Sequence, residues 1–150
     1  MSRTKSPVEI LDRLLELCTD AIAGYRHAAA AISDPHIRAV LEQNAAEREE
    51  IASVLSYELV ELGHKPARRG TLAGALHREY LDVTAAVDRG NPGPLLSICA
   101  RGERETLAQF SAALGKVLPD HVHVVVQSQL GRVLSASASL ERARLDLASR

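Results

Sequence analysis

Glu103, in the stretch ARGERETLAQF at 100–110, is the residue whose position most demands a chemical explanation. It falls on the line Leu96, Cys99, Glu103, Thr106, Phe110, Ala113 and Val117, whose steps of three and four mark the buried seam of a bundle helix. A lone buried carboxylate costs several kcal/mol, so a group placed there takes up a proton, binds a metal ion or pairs with a buried cation. Metal binding leads toward redox chemistry, whereas an ion pair fixes helix register.

The metal reading asks for partners. A two-metal carboxylate site in a four-helix bundle takes a Glu from each of two helices and a Glu-x-x-His pair from each of the others, all projecting inward. The seams here carry no such pair. Aligning LLELC at 14–18 with LLSIC at 95–99 puts Ile22 at the position equivalent to Glu103. Glu16 and Asp20 project roughly 150° or more from the seam of their helix and are expected to face solvent. Glu47 lies near the inward arc of the second helix and Glu50 turns away from it. His121 and His123 are about 200° apart around a helix, cannot share one ion and are read as surface residues.

The cation reading has a candidate in Arg48. Folding the first hairpin about residue 33 and running the second and fourth helices parallel puts Arg48 within reach of Glu103. Tyr25, Asn44, Thr106 and Gln129 are available hydrogen-bond partners. Three readings of Glu103 stay open. It is half of a buried ion pair with Arg48, a residual ligand for iron or manganese together with Glu47 and Gln129, or partly exposed in a shifted register. The ion pair is preferred, with no cofactor.

The elements that must position these residues are helices. Ser6-Pro7-Val8-Glu9 is a capping box with Pro at the first helical position, so a helix is expected over 7–32. Its seam is Leu11, Leu15, Cys18, Ile22, Tyr25, Ala29 and Ile32. Ser33-Asp34-Pro35 starts a second helix over 34–63, with Asn44, Arg48 and Glu58 along its inner face and Gly63 at its end. HKPARRG at 64–70 reads as a solvated loop, and Thr71 caps a helix over 71–88. RGNPGP at 89–94 breaks the chain before helices over 94–117 and 119–148. The middle helix would span about 27 Å at 1.5 Å per residue, enough to carry the chain back along a bundle. Two hairpins joined by a long crossover, all-α and in one domain over 1–150, are therefore expected.

Composition agrees. The 150 residues are 46% hydrophobic and 25% charged, which suits one globular domain. With 3% aromatic residues, no Trp and one Met, core volume has to come from Leu, Val, Ile and Ala. A net charge of -1 argues against a nucleic-acid partner. No run approaches the ~20 apolar residues of a membrane span. The polar start MSRTKSPVEI lacks a secretory apolar stretch, and a cytoplasmic protein is expected. Two cysteines suggest neither a disulfide framework nor a zinc site, and Cys18 and Cys99 read as small buried hydrophobes.

CTDAIAGYRHAA (18–29), the arginine of AAEREE (45–50), LG before a Pro (62–66), GTLAGALHREY (70–80) and CARGE (99–103) together resemble a known family. It comprises uncharacterised bacterial ferritin-like four-helix-bundle proteins, grouped as a domain of unknown function and related to stress-induced ferritin-like proteins. The resemblance implies a ferritin-like bundle and a link to stress physiology. It also draws attention to His77 and Tyr80 as a candidate surface site, although packing of His77 against the bundle is preferred. The expected function is a non-enzymatic binding or interaction protein with an unknown protein or small-ligand partner. A metal-binding oxidase or ferroxidase with a degenerate site is the first alternative. The second is a homo-oligomerising module that uses the crossover helix.

Overall fold

The computed structural model describes residues 4–66 and 91–150. Four helices account for most of them: α1 (Pro7–Ala31), α2 (Pro35–Glu61), α3 (Gly93–Leu114) and α4 (Asp120–Ala148), with no strand among the described residues. The expected helix over 71–88, with His77 and Tyr80, lies outside the described residues.

Local sequence sets the helix ends. Ser6 Oγ accepts from the Glu9 amide at 3.2 Å while Glu9 Oε1 accepts from the Ser6 amide at 3.4 Å, closing the capping box of α1. Asp34 Oδ1 accepts from the amides of His36 and Ile37 at the start of α2, where Pro35 has no amide to satisfy. At the end of α2, Gly63 takes φ 81°, a left-handed turn that a side chain would strain. The His64 amide then reaches Leu59 O and the Gly63 amide reaches Val60 O, a Schellman closure. Gly115 closes α3 three residues earlier than the seam suggests, and its amide bonds Ala112 O. Val117 consequently sits in the turn and is 86% exposed instead of closing the seam. Leu62, just past α2, is also exposed.

Each helix packs on two others in a closed ring, α1 on α2 and α3, and α4 on α2 and α3. One apolar cluster joins the start of α1, the end of α2, the end of α3 and the start of α4. The second joins the opposite ends of the same helices. Ring neighbours are therefore antiparallel, and the diagonal pairs α1/α4 and α2/α3 are parallel. The end of α2 and the start of α3 lie at opposite ends of the bundle. Fully buried Leu11, Leu41, Leu55 and Leu96 fill the core, each worth roughly 1.5–3 kcal/mol of burial. Between the two clusters lies a layer of buried polar residues, Asn44, Arg48, Glu103, Thr106 and Gln129. None of the described helices is long and apolar enough to cross a membrane.

Candidate functional site

Arg48 and Glu103 meet at the centre of the polar layer. They stand on α2 and α3, diagonal helices, so only a long side chain closes the gap, and arginine supplies it. Arg48 Nη2 donates to Glu103 Oε1 at 2.7 Å and to Oε2 at 2.9 Å. The two side chains are 0% and 2% exposed. Burial, the largest single influence, would lower the guanidinium pKa, but the charge and hydrogen bond of Glu103 together with Cys18 and Tyr25 outweigh it and the net shift is upward, holding Arg48 charged. The contact is end-on instead of a two-nitrogen fork, so Arg48 Nε and Nη1 remain buried without a hydrogen-bond partner.

The other members of the layer direct their bonds elsewhere. Asn44 Nδ2 donates to Ala136 O on α4 at 3.1 Å, and the Thr106 hydroxyl donates back to Gly102 O on its own helix at 2.9 Å. Gln129 Oε1 accepts a long bond of 3.5 Å from Arg132 Nη1. Tyr25, 2% exposed, stacks its ring beneath the Arg48 guanidinium at 6.0 Å. Its hydroxyl is buried, with Glu103 as its hydrogen-bonding neighbour at relaxed geometry. Desolvation, then the nearby Glu103 charge, pushes the Tyr25 pKa far up, so the phenol stays protonated. Of the four residues available to the pair, Asn44, Thr106 and Gln129 thus bond elsewhere and Tyr25 alone adjoins Glu103.

The candidate metal ligands are not assembled. Both Glu103 oxygens hold Arg48, while Glu47 Oε2 accepts from Arg132 Nη2 at 3.2 Å and Glu50 binds the same nitrogen. Ile22 is buried at the position equivalent to Glu103. The one Glu-x-x-His in the chain, Glu61 to His64, straddles the end of α2, with Glu61 exposed and His64 Nε2 turned to Asp12 at 2.9 Å. Among the described residues no group of three or more His, Cys, Asp or Glu side chains converges to hold a metal ion. The donors among the described residues therefore do not form the two-metal centre of a carboxylate bundle. His121 is exposed, as its spacing suggests, and its Nε2 lies 3.2 Å from Glu58 Oε1, a buried carboxylate on α2. Cys18 and Cys99 are both buried and are not joined in a disulfide.

Asp20 departs from expectation. It is 7% exposed instead of facing solvent. A single seam underestimates the buried arc of α1, which packs on α3 as well as α2 and buries a second stripe through Leu17, Gly24 and Ala28. Asp20 follows Leu17 by three residues and lies on that stripe. It lines a cavity of about 80 Å³ between α1 and α3, walled by Leu17, Ala21, Gly24 and Ile98 and flanked by Tyr25 and Glu103. The signal missed in the sequence is the run of small residues, Ala21, Gly24 and Gly102, where the two helices meet.

No curated protein matches the chain. A protein-family model does, over residues 6–116, which span α1, α2 and α3 and stop short of α4. By that match the chain belongs to the family described as Domain of unknown function (DUF2383).

Proposed function

We propose that this protein is a ferritin-like bundle that acts without catalysing a reaction, as a stress-associated binding or interaction protein. The helix directions support the ferritin-like part. Antiparallel ring neighbours, parallel diagonals and a connection between opposite ends of the bundle are what two hairpins joined by a long crossover require. The observation that carries the non-enzymatic part is the Arg48 guanidinium on both oxygens of Glu103. A cation occupies the carboxylate that a metal centre would need. Stress association and a bacterial, cytoplasmic setting rest on the resemblance and on composition.

The test is to incubate the protein aerobically with ferrous iron, desalt it, and measure bound metal while following oxygen uptake. The binding-protein reading expects no retained metal. The competing reading, an iron or manganese oxidase built on Glu103, Glu47 and Gln129, is favoured by the clustering of polar groups in one layer. It expects about two metals per chain and oxygen consumption. Light scattering on the same sample reports whether the protein self-associates, as an oligomerising module would.

A further inference from the structure

The outer face of α4 is uncharged over most of its length. From Val124 to Ala138 the helix carries one charge, Arg132, and that side chain is turned to Glu47 and Glu50 on α2. The exposed face of α2, by contrast, carries Glu42 and Glu50, and that of α3 carries Arg101, Arg104 and Glu105. On the α4 face stand Val124, Leu134 and Leu145, 62%, 53% and 68% exposed. At about 100° per residue they fall within an arc of ~80°. Tyr57, also exposed, follows Glu50 by two turns of α2 and stands at the border with α4. A solvated helix face is normally polar, and an apolar one marks a surface that something covers.

We infer that this face is covered by the same face of a second copy of the chain, in an antiparallel two-fold dimer. The spacing is self-complementary, because Val124 and Leu145 lie equally far from the midpoint between Leu134 and Ser135. A two-fold axis there, perpendicular to the helix, sets Val124 on the partner's Leu145 and Leu134 on the partner's Leu134. It also keeps each flank of α4 against the same flank of its mate. Ala138 meets the partner's Gly131, a level of short side chains that lets the helices approach and that an alanine pair would also fill. The charges agree with this register. Glu141 and Arg142 are exposed on opposite flanks, where Glu141 comes beside the partner's Gln127 and Arg142 beside the partner's Ser128. Asp146 lies on the flank of the partner's His121. No like charges meet, and each charged group has a hydrogen-bonding neighbour. A net charge of -1 leaves little repulsion between copies. From Val124 to Leu145 the contact is about 32 Å long and about 10–12 Å wide, roughly 350 Å² per copy. That is below the ~800 Å² per partner of a standard interface, so the dimer is weak and concentration-dependent.

The dimer goes beyond the binding-protein reading, and whether the protein retains iron leaves it untouched. Sedimentation equilibrium of the full-length chain over a concentration series should show a reversible monomer–dimer equilibrium. Leu134→Glu sets two carboxylates against each other at the axis and should leave only monomer. Its circular dichroism should match that of the wild type, since the side chain is exposed in the single chain. Charge at Ser128 reads the register. Ser128→Glu faces the partner's Arg142 and should tighten the dimer about two- to tenfold, whereas Ser128→Lys should weaken it by a similar factor. A chain that stays monomeric at every concentration would overturn the proposal, whether solvent or another segment of the same chain covers the face. A dimer indifferent to Leu134→Glu would place the interface elsewhere, and one tightened by Ser128→Lys would contradict the antiparallel register; either result overturns it as well.

Discussion

Arg48 reaches Glu103 across the diagonal of the bundle through one nitrogen, Nη2, which serves both carboxylate oxygens at 2.7 and 2.9 Å. The rest of the guanidinium is buried without hydrogen bonds. The pair therefore stands close to the limit at which burying two charges is repaid. Its defensible role is specificity, because it holds α2 and α3 at one relative height while apolar residues above and below would tolerate others.

Removing one partner should be far worse than removing both. Glu103→Ala leaves a buried arginine uncompensated, and a loss of about 3–5 kcal/mol in urea unfolding is expected. The double variant Glu103→Leu, Arg48→Met should recover most of that loss. Equal destabilisation by the single and double variants would show that the pair does not act as a unit.

Much of this layer was legible in the sequence because a heptad seam is a one-dimensional pattern. Glu103 and Arg48 each interrupt an apolar line, and antiparallel hairpins with a long crossover bring the interruptions level. What the pattern does not encode is the second neighbour of each helix. Asp20 lies off the α1 seam yet is buried against α3, since the ring gives α1 two contact faces. Helix ends depend on single residues in the same way. The spacing carries α3 on to Val117, but Gly115 stops it first. Hydrogen-bond direction was the least legible feature. Thr106 is positioned to solvate Glu103 and instead bonds its own helix at Gly102, a local acceptor always within reach.

Glycine substitutions in the helices give a clean test of the backbone. A Cβ built at Gly131 or Gly102 meets nothing within 4 Å. Neither residue has a positive φ. Gly131→Ala and Gly102→Ala should each stabilise the protein by about 0.5–1 kcal/mol, through the lower entropy of the unfolded chain. The midpoint of thermal unfolding should rise in both, and a fall would mean that another surface packs there.

Acid should loosen the junction between the hairpins. A hydrogen bond from Arg150, then the Ile37 amide, hold Asp34 below its ordinary carboxylate value of 3.8. A group whose pKa is lower when folded contributes stability that is present above the unfolded pKa and disappears as pH falls through the folded one. The wild type should therefore lose this contribution below about pH 4, whereas Asp34→Ala lacks it at every pH. The difference in melting temperature between the two should be constant from pH 5 to 7, above the ordinary carboxylate value of roughly 4, and shrink on further acidification. A difference that grows in acid would place the shift in the wrong direction.

The Asn44 side chain bridges α2 to the Ala136 carbonyl on α4 from a site that is almost fully buried. Asn44→Leu removes this cross-helix bond while the carbonyl keeps its helical amide donor, and a cost of about 0.5–1.5 kcal/mol is expected. Equilibrium unfolding in urea measures it, and a neutral result would mean that the bond adds nothing net to stability.

Tyr25→Phe should cost less. The Tyr25 hydroxyl is buried beside Glu103 and bonds it only at relaxed geometry, so deleting it takes one weakly held donor from a carboxylate that keeps both contacts to Arg48. The variant is expected to lose no more than about 1 kcal/mol. The ring stays beneath Arg48, 6.0 Å from the guanidinium, so its electrostatic contact with the cation is retained. Chemical unfolding of protein dialysed free of small solutes reads the difference. A loss above about 1.5 kcal/mol, the range of a hydrogen bond to a charged group, would show that the hydroxyl is a full partner of the Glu103 carboxylate.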